Sequence, residues 1–459
     1  MAKRSEIDQY SIGYTFWRVF FARPAFRHYY RKLEIYEDYK LPKNEPVILA
    51  PNHQNALMDA MAFVAPVRRH QIIFFARADI FKKKAIAAIL TFMKIMPVYR
   101  KRDGVSSLQK NDEIFDAGAQ FLKNKRQPIC LFPEGSHGDK RRLRQLVKGI
   151  FRIAFKAQEE YKDKPGVKIY PAGVDYGCYP KFRNTLLVQY GKPIEVSEYW
   201  EEYEKNNAVG INKLRERLTE EIKKYIIHIE SEEYYDTYMG IRPFYNEKMR
   251  QKLDIKGKSL RDQFNADKKL IDALDADLEK ENSKIPALQE HFQKYAKLRD
   301  KMDFRDWVFK KPKYSIIANL LFLLLNLIIS PLAILGLVNN WPHFFIPPVI
   351  SKNVKDGQFH STFNWVLGLF MRMLYYGILI LIALLVLPEW WMKLIYILTL
   401  WPTALVALTS RKIWIKSKKR ILYTIKRKSK EIQEIHKQRN AIYDIVDSVV
   451  DEYLKNAKA

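Results

Sequence analysis

Between residues 44 and 200, short apolar runs alternate with longer stretches of helical period. The runs 46–50, 71–76, 128–132, 168–174 and 185–190 are rich in Val, Ile, Leu, Phe or Tyr and end in turn residues, which predicts strands. Helical patterns fill 56–66, 80–95, 105–125 and 144–161. Such alternation predicts an α/β fold, a sheet flanked by helices, with chemistry on the loops at the strand ends. From 200 to 310 both signs of charge interleave with apolar residues, as in solvated helices forming a hairpin or small bundle. Residues 314–337 are almost wholly apolar, and two further apolar runs cover 373–388 and 391–409. The first is long enough to span a bilayer, and the other two are read with it as membrane segments.

The formal charge of +28 requires an anionic partner, either nucleic acid or anionic lipid. No nucleic-acid-binding module is recognisable, whereas the cations cluster beside the apolar runs. Lys310, Lys311 and Lys313 precede the first run, Lys352, Lys355 and Arg372 separate it from the second, and Arg411 to Lys430 carries cations without an acid. Basic flanks stay cytoplasmic, yet three simple spans would put the basic tail outside. Two hairpins, folded near Pro331 to Trp341 and at Pro388 to Lys393, would keep every basic flank inside. The expected partner is therefore a membrane with anionic lipids, not nucleic acid, and the catalytic domain is expected on the cytoplasmic face. Residues 13–30 mix aromatics with arginines and either lie in the headgroup layer or pack on the domain behind them. The N-terminal run, broken by Arg18 and Arg23, does not read as a secretory signal. Cys130 and Cys178 supply neither a disulfide framework nor a zinc ligand set.

Candidate chemistry lies in four blocks. Asn52 and His53 follow the apolar run Val47 to Ala50, and Asp59 comes six positions after the histidine. A carboxylate that fixes an imidazole leaves its far nitrogen free to take a proton from a hydroxyl. Arg77 and the series Arg100, Lys101 and Arg102 are cations near strand ends that can hold a phosphate. Phe132, Pro133, Glu134, Gly135, Ser136 and His137 form a turn that exposes a carboxylate and lets backbone approach an anion. Ser136 lacks the Gly-x-Ser-x-Gly spacing of a hydrolase nucleophile. Val167 to Val174, with Pro171 and Gly173, either lines a pocket or is a core strand.

Together these blocks resemble the glycerolipid O-acyltransferases that act on glycerol-phosphate acceptors. That family's ordered motifs are Asn-His…Asp, Pro-Val-x-Arg, Phe-Pro-Glu-Gly-[Ser/Thr] and Val-x-Ile-x-Pro-x-Gly. All four stand in order between 51 and 174, and Gly191 to Ile194 resembles the closing strand. The membrane-bearing half is most similar to the long glycerol-3-phosphate/dihydroxyacetone-phosphate acyltransferases.

The resemblance implies His53 and Asp59 as catalytic residues and Asn52, Arg100, Glu134, Gly135 and Ser136 as substrate-binding. It implies no metal or other cofactor beyond acyl-CoA or acyl carrier protein as co-substrate. The expected reaction is acyl transfer to glycerol 3-phosphate or dihydroxyacetone phosphate, on the way to phosphatidic acid. A lysophosphatidate acyltransferase and an inactive membrane scaffold binding anionic lipid are the alternatives. The chain departs from the family in two places. Five residues separate His53 from Asp59 where four are usual, and His137 stands where the third motif often has Arg. The expected layout is an interfacial segment over 1–40, an acyltransferase domain over 41–230, a charged helical region over 231–312, membrane segments over 313–410 and a basic cytoplasmic tail over 411–459.

Overall fold

The computed structural model describes residues 7–67, 70–99, 106–178 and 181–457, with 106–111 as backbone alone. They divide into two compact units. One is Met1–His228 together with Val354–Thr362, and the other is Ile229–Asn353 together with Phe363–Ala459.

The first unit opens with helices α1 (Ile12–Trp17) and α2 (Arg23–Tyr29), joined by a π-helical turn. One face of this stretch, Tyr14, Arg18, Ala22, Phe26 and Tyr29, is buried, while Ile12, Phe16, Phe20 and Phe21 are exposed. The segment thus packs on its domain and still presents an aromatic face. Strands β1 (Lys32–Tyr36) and β2 (Val47–Pro51) follow, then α3 (Ala56–Val64), β3 (Ile73–Arg77), α4 (Lys84–Phe92), β4 (Ile95–Val98), α5 (Ser106–Asn124) and β5 (Ile129–Cys130). The unit continues through α6 (Gly149–Gln158), β6 (Lys168–Tyr176), β7 (Thr185–Tyr190), β8 (Ile194–Glu195), α7 (Trp200–Lys205) and α8 (Asn207–Lys224).

The strands form one mixed sheet in the order β1-β7-β6-β2-β5-β3-β4, with β8 paired to β6. β6 runs antiparallel to β7 and β8, and the other pairs are parallel. β2 lies inside and is buried along its whole length, as its unbroken apolar run requires of a strand covered on both faces. α6 supplies Ile150, Phe151, Ile153, Ala154 and Phe155 to the core over the sheet. The Val167 to Val174 block is a core strand. A Cβ on Gly173 would fall 1.9 Å from the Tyr225 carbonyl oxygen, so its glycine makes room for backbone rather than substrate.

The second unit contains α9 (Tyr235–Lys252), α10 (Leu260–Leu278), α11 (Ile285–Lys301), α12 (Ile316–Val338), α13 (Trp341–Lys352), α14 (His360–Val386), α15 (Trp390–Lys426) and α16 (Lys430–Asn456). Within the segment expected as a tail, residues 411–426 are the last turns of α15 and 430–456 are α16. α16 buries Ile435, Ile442, Val446 and Val449 at helical spacing against α10 and α11. The Tyr245 hydroxyl donates to Asp447 at 2.7 Å and ties α9 to it.

Among the described residues, three helices are long and apolar enough to cross a membrane: α12, α14 with the turn before it, and α15. α12 does not fold at Pro331 but runs through it. The carbonyl of Leu327, which loses its amide partner to the proline, accepts the Ser330 hydroxyl at 2.7 Å.

Candidate active site

β2 delivers Asn52 and His53 to the end of the sheet, and the chain turns before α3 begins. The extra residue between His53 and Asp59 is absorbed in that turn. Ala56, the first residue of α3, adopts φ +43°, a left-handed conformation that costs a non-glycine residue about 1–2 kcal/mol. Such strain persists where surrounding bonds over-determine it, and here they do.

Asp59 is fully buried and collects four donors. Its Oδ2 accepts His53 Nδ1 at 2.8 Å and the backbone amides of Gln54 and Asn55 at 2.7 Å each. Its Oδ1 accepts the Tyr176 hydroxyl at 2.6 Å. Burial, reinforced by the Asp59 charge, pushes the Tyr176 phenol well above its ordinary range, so it stays a donor. With Nδ1 donating to a carboxylate, Nε2 is the imidazole's free acceptor. The His53 side chain is 15% exposed, enough to meet a substrate. Its ring stacks on Phe132 at 4.0 Å and lies edge-on to His137 at 5.3 Å.

Glu134 does a different job from the one its sequence position suggests. It is buried, and its oxygens accept the His53 amide at 2.8 Å and the Arg144 amide at 3.1 Å. Desolvation pushes its carboxyl up to about 7, against those two hydrogen bonds and the nearby cations. It therefore joins the His53 turn to the loop that carries Arg144 and leaves little of itself for other partners. Gly135 has φ +67°, and a Cβ there would meet Val147 at 2.9 Å, so only glycine fits this turn. Asn52 is likewise engaged. Its amide donates to the Val174 carbonyl at 3.2 Å and accepts the Val174 amide at 2.7 Å, binding β2 to β6 in place of a substrate.

Arg144 carried no signal in the sequence, ten residues beyond Glu134. Its guanidinium donates to Ser136 Oγ and, at 2.8 Å, to the His137 carbonyl, so the Ser136–His137 loop gains an exposed cation. His137 itself is neutral near pH 7. Desolvation pushes its imidazole down to about 4, aided by the charge of His53 and opposed by Asp59 and Asp356. Arg100, Lys101 and Arg102 lie outside the described residues.

One more element reaches this site. The segment Val354–Thr362, which follows α13 and includes the first residues of α14, belongs to the first unit. Phe359 lies edge-on to His137 at 4.7 Å, and Ser361 is fully buried. His360 Nε2 meets the Val354 carbonyl at 3.0 Å and closes the segment on itself.

Residues 32–175 match the family model described as Acyltransferase. Over these residues the chain forms an acyltransferase domain. Among curated proteins, glycerol-3-phosphate O-acyltransferase 1 of Saccharomyces cerevisiae is 37% identical over 68 residues. That stretch is 15% of this chain and only 9% of the yeast protein's length. Among solved structures, the 1-acyl-sn-glycerophosphate (LPA) acyltransferase PlsC of Thermotoga maritima aligns over 46% of this chain and 79% of its own, at 18% identity and a TM-score of 0.29.

Proposed function

We propose that the chain transfers a fatty acyl group from an acyl thioester, on CoA or an acyl carrier protein, to the hydroxyl of glycerol 3-phosphate or dihydroxyacetone phosphate. The observation that carries this reading is the 2.8 Å bond from His53 Nδ1 to an Asp59 carboxylate already held by three other donors. His53 Nε2 takes the proton of the acceptor hydroxyl as its oxygen attacks the thioester carbonyl. The tetrahedral intermediate collapses, the C–S bond breaks, and the thiolate leaves with the proton His53 had accepted. No acyl-enzyme is formed. A positioned base of this kind contributes about 10²–10⁴ in rate. Asp59 holds the tautomer and stabilises the imidazolium.

Arg144, at the rim of the Ser136–His137 loop, and Arg100 bind the acceptor's phosphate. Gly135 shapes the loop, and Ser136 and Glu134 hold Arg144 and His53 in place. The product, a lysophosphatidate from glycerol 3-phosphate or an acyl-dihydroxyacetone phosphate from dihydroxyacetone phosphate, partitions into the bilayer at which the catalytic unit works, on the cytoplasmic face and against anionic headgroups.

The acceptor is decided by supplying radiolabelled acyl-CoA with glycerol 3-phosphate or with lysophosphatidate. Labelled lysophosphatidate from the first is expected. Labelled phosphatidic acid from the second, with nothing from the first, would assign the lysophosphatidate reaction instead. Lipid binding without transfer to either acceptor would leave the membrane scaffold.

A further inference from the structure

The geometry points to α12 and α13 as a re-entrant hairpin that enters and leaves a single leaflet, turning in the middle of the bilayer at Asn339 and Asn340. On this reading α14 and α15 cross the membrane and α12 does not.

The first argument is register within the second unit. α12 and α15 run antiparallel. The Tyr314 amide donates to Thr424 Oγ1 at 3.2 Å, a Cβ on Gly336 would fall 2.0 Å from the Thr403 carbonyl oxygen, and Asn340 Nδ2 donates to the Leu400 carbonyl at 3.2 Å. α12 therefore ends level with Leu400, ten residues short of the far end of α15 at Trp390, or about 15 Å at the helical rise. α14 gives the same depth: Tyr376 meets Asn340, and ten residues separate it from Val386, again about 15 Å. Half of a hydrocarbon core is about 15 Å. The tip between α14 and α15 carries Glu389, Trp390 and Trp391, residues suited to a far interface.

The turn is built for that depth. Non-helical backbone survives inside a bilayer only where protein satisfies its polar groups. Asn339 and Asn340 are both buried. Asn340 also donates to the Gly336 carbonyl at 2.8 Å and accepts the Tyr376 hydroxyl at 2.6 Å. The hydroxyls of Tyr396 and Tyr375 donate to Asn339 Oδ1 and to the Val338 carbonyl, each at 3.2 Å. Around them the side chains of Val338 and Trp341 are exposed and apolar, facing lipid.

The second argument is independent. The segment Val354–Thr362 is part of the catalytic unit, so it lies on the catalytic side of the membrane. If α12 crossed the bilayer, α13 would have to bring the chain back. Its twelve residues span about 18 Å, well short of a core of about 30 Å. Starting from mid-bilayer, the same helix reaches the original face.

The test is cysteine labelling of the full chain in sealed vesicles, with Cys178 replaced by Ser and the buried Cys130 retained. The exposed positions Lys313, Val338, Asn353 and Glu389 are each changed to Cys, and an impermeant maleimide is added from either face. Labelling of K313C and N353C from one face, of E389C from the other, and of V338C from neither is expected. A fluorophore then attached to V338C in detergent and returned to vesicles should be quenched more by a nitroxide at the acyl-chain end than at the headgroup. Labelling of V338C from the face that labels E389C would make α12 a full span. Labelling of V338C from the other face, labelling of E389C from the K313C face, or stronger headgroup quenching would equally overturn the proposal. The four positions are exposed, so misfolding, checked by gel filtration of each variant, is not the expected cause of any of these results.

Discussion

The Asn52–Asp59 turn and the Pro133–His137 loop each present one buried carboxylate, and the two carboxylates do opposite things. Asp59 gathers four donors, one of them the imidazole of a partly exposed histidine. Among the described residues, Glu134 gathers two backbone amides and no reactive side chain, and burial raises its carboxyl to about 7. The same residue chemistry in neighbouring loops thus yields an orienting group in one and a brace in the other. What separates them is which donors the fold aims at each, not how deeply each is buried. Sequence motifs record both as acids near a glycine or a histidine and do not tell them apart.

The comparison breaks most visibly at Asp59. Asp59→Asn keeps the volume but offers an amide to His53 Nδ1, favouring the wrong tautomer. The turnover rate is expected to fall about 10²–10⁴-fold with the acceptor KM little changed. An unchanged rate would make Asp59 a brace like Glu134.

Arg144→Ala comes next. It removes a charge-assisted contact worth about 1.5–3 kcal/mol, so the KM for the phosphate-bearing acceptor should rise about tenfold or more while turnover stays near wild type.

Glu134→Gln should act mainly on stability. One amide hydrogen-bond acceptor is lost, which costs about 1–3 kcal/mol in thermal unfolding while transfer persists in the folded fraction. The pH dependence has a definite sign. Because the folded carboxyl sits at about 7 against an ordinary 4.5, the fold favours its protonated form. That contribution is complete below about 4.5 and is lost as pH rises through 7. The wild-type melting temperature should therefore decline over this window relative to Glu134→Gln.

The smallest change is Ala56→Gly, which relieves the φ of +43° and should leave stability unchanged or raise it by up to about 1 kcal/mol.

Much of this architecture was readable from apolar periodicity. The five strands expected over 46–50, 71–76, 128–132, 168–174 and 185–190 overlap β2, β3, β5, β6 and β7. β1 escaped because Lys32 and Glu34 make it read as polar, as suits an edge strand with side chains partly in water. β4 escaped because Pro97 sits inside it, also at an edge of the sheet.

At the site, His53 and Asp59 could be paired from their place after β2, but the left-handed Ala56 that makes their spacing work could not. Arg144 and Phe359 were invisible for another reason. They enter the site from a loop and from a segment more than 200 residues beyond Glu134, brought there by tertiary structure alone. Asn52 and Glu134 lie beside His53, and their hydrogen bonds go to backbone. Spacing does not reveal where an acceptor's lone pairs are spent.

The central claim is that His53 is the base for acyl transfer to a glycerol-phosphate hydroxyl. It is tested most directly by incubating radiolabelled acyl-CoA and glycerol 3-phosphate with the wild-type chain and with His53→Ala, at matched amounts in membranes. The account predicts labelled lysophosphatidate from the wild type and a loss of about 10²–10⁴-fold in the variant. Product formation at the wild-type rate by His53→Ala would contradict it.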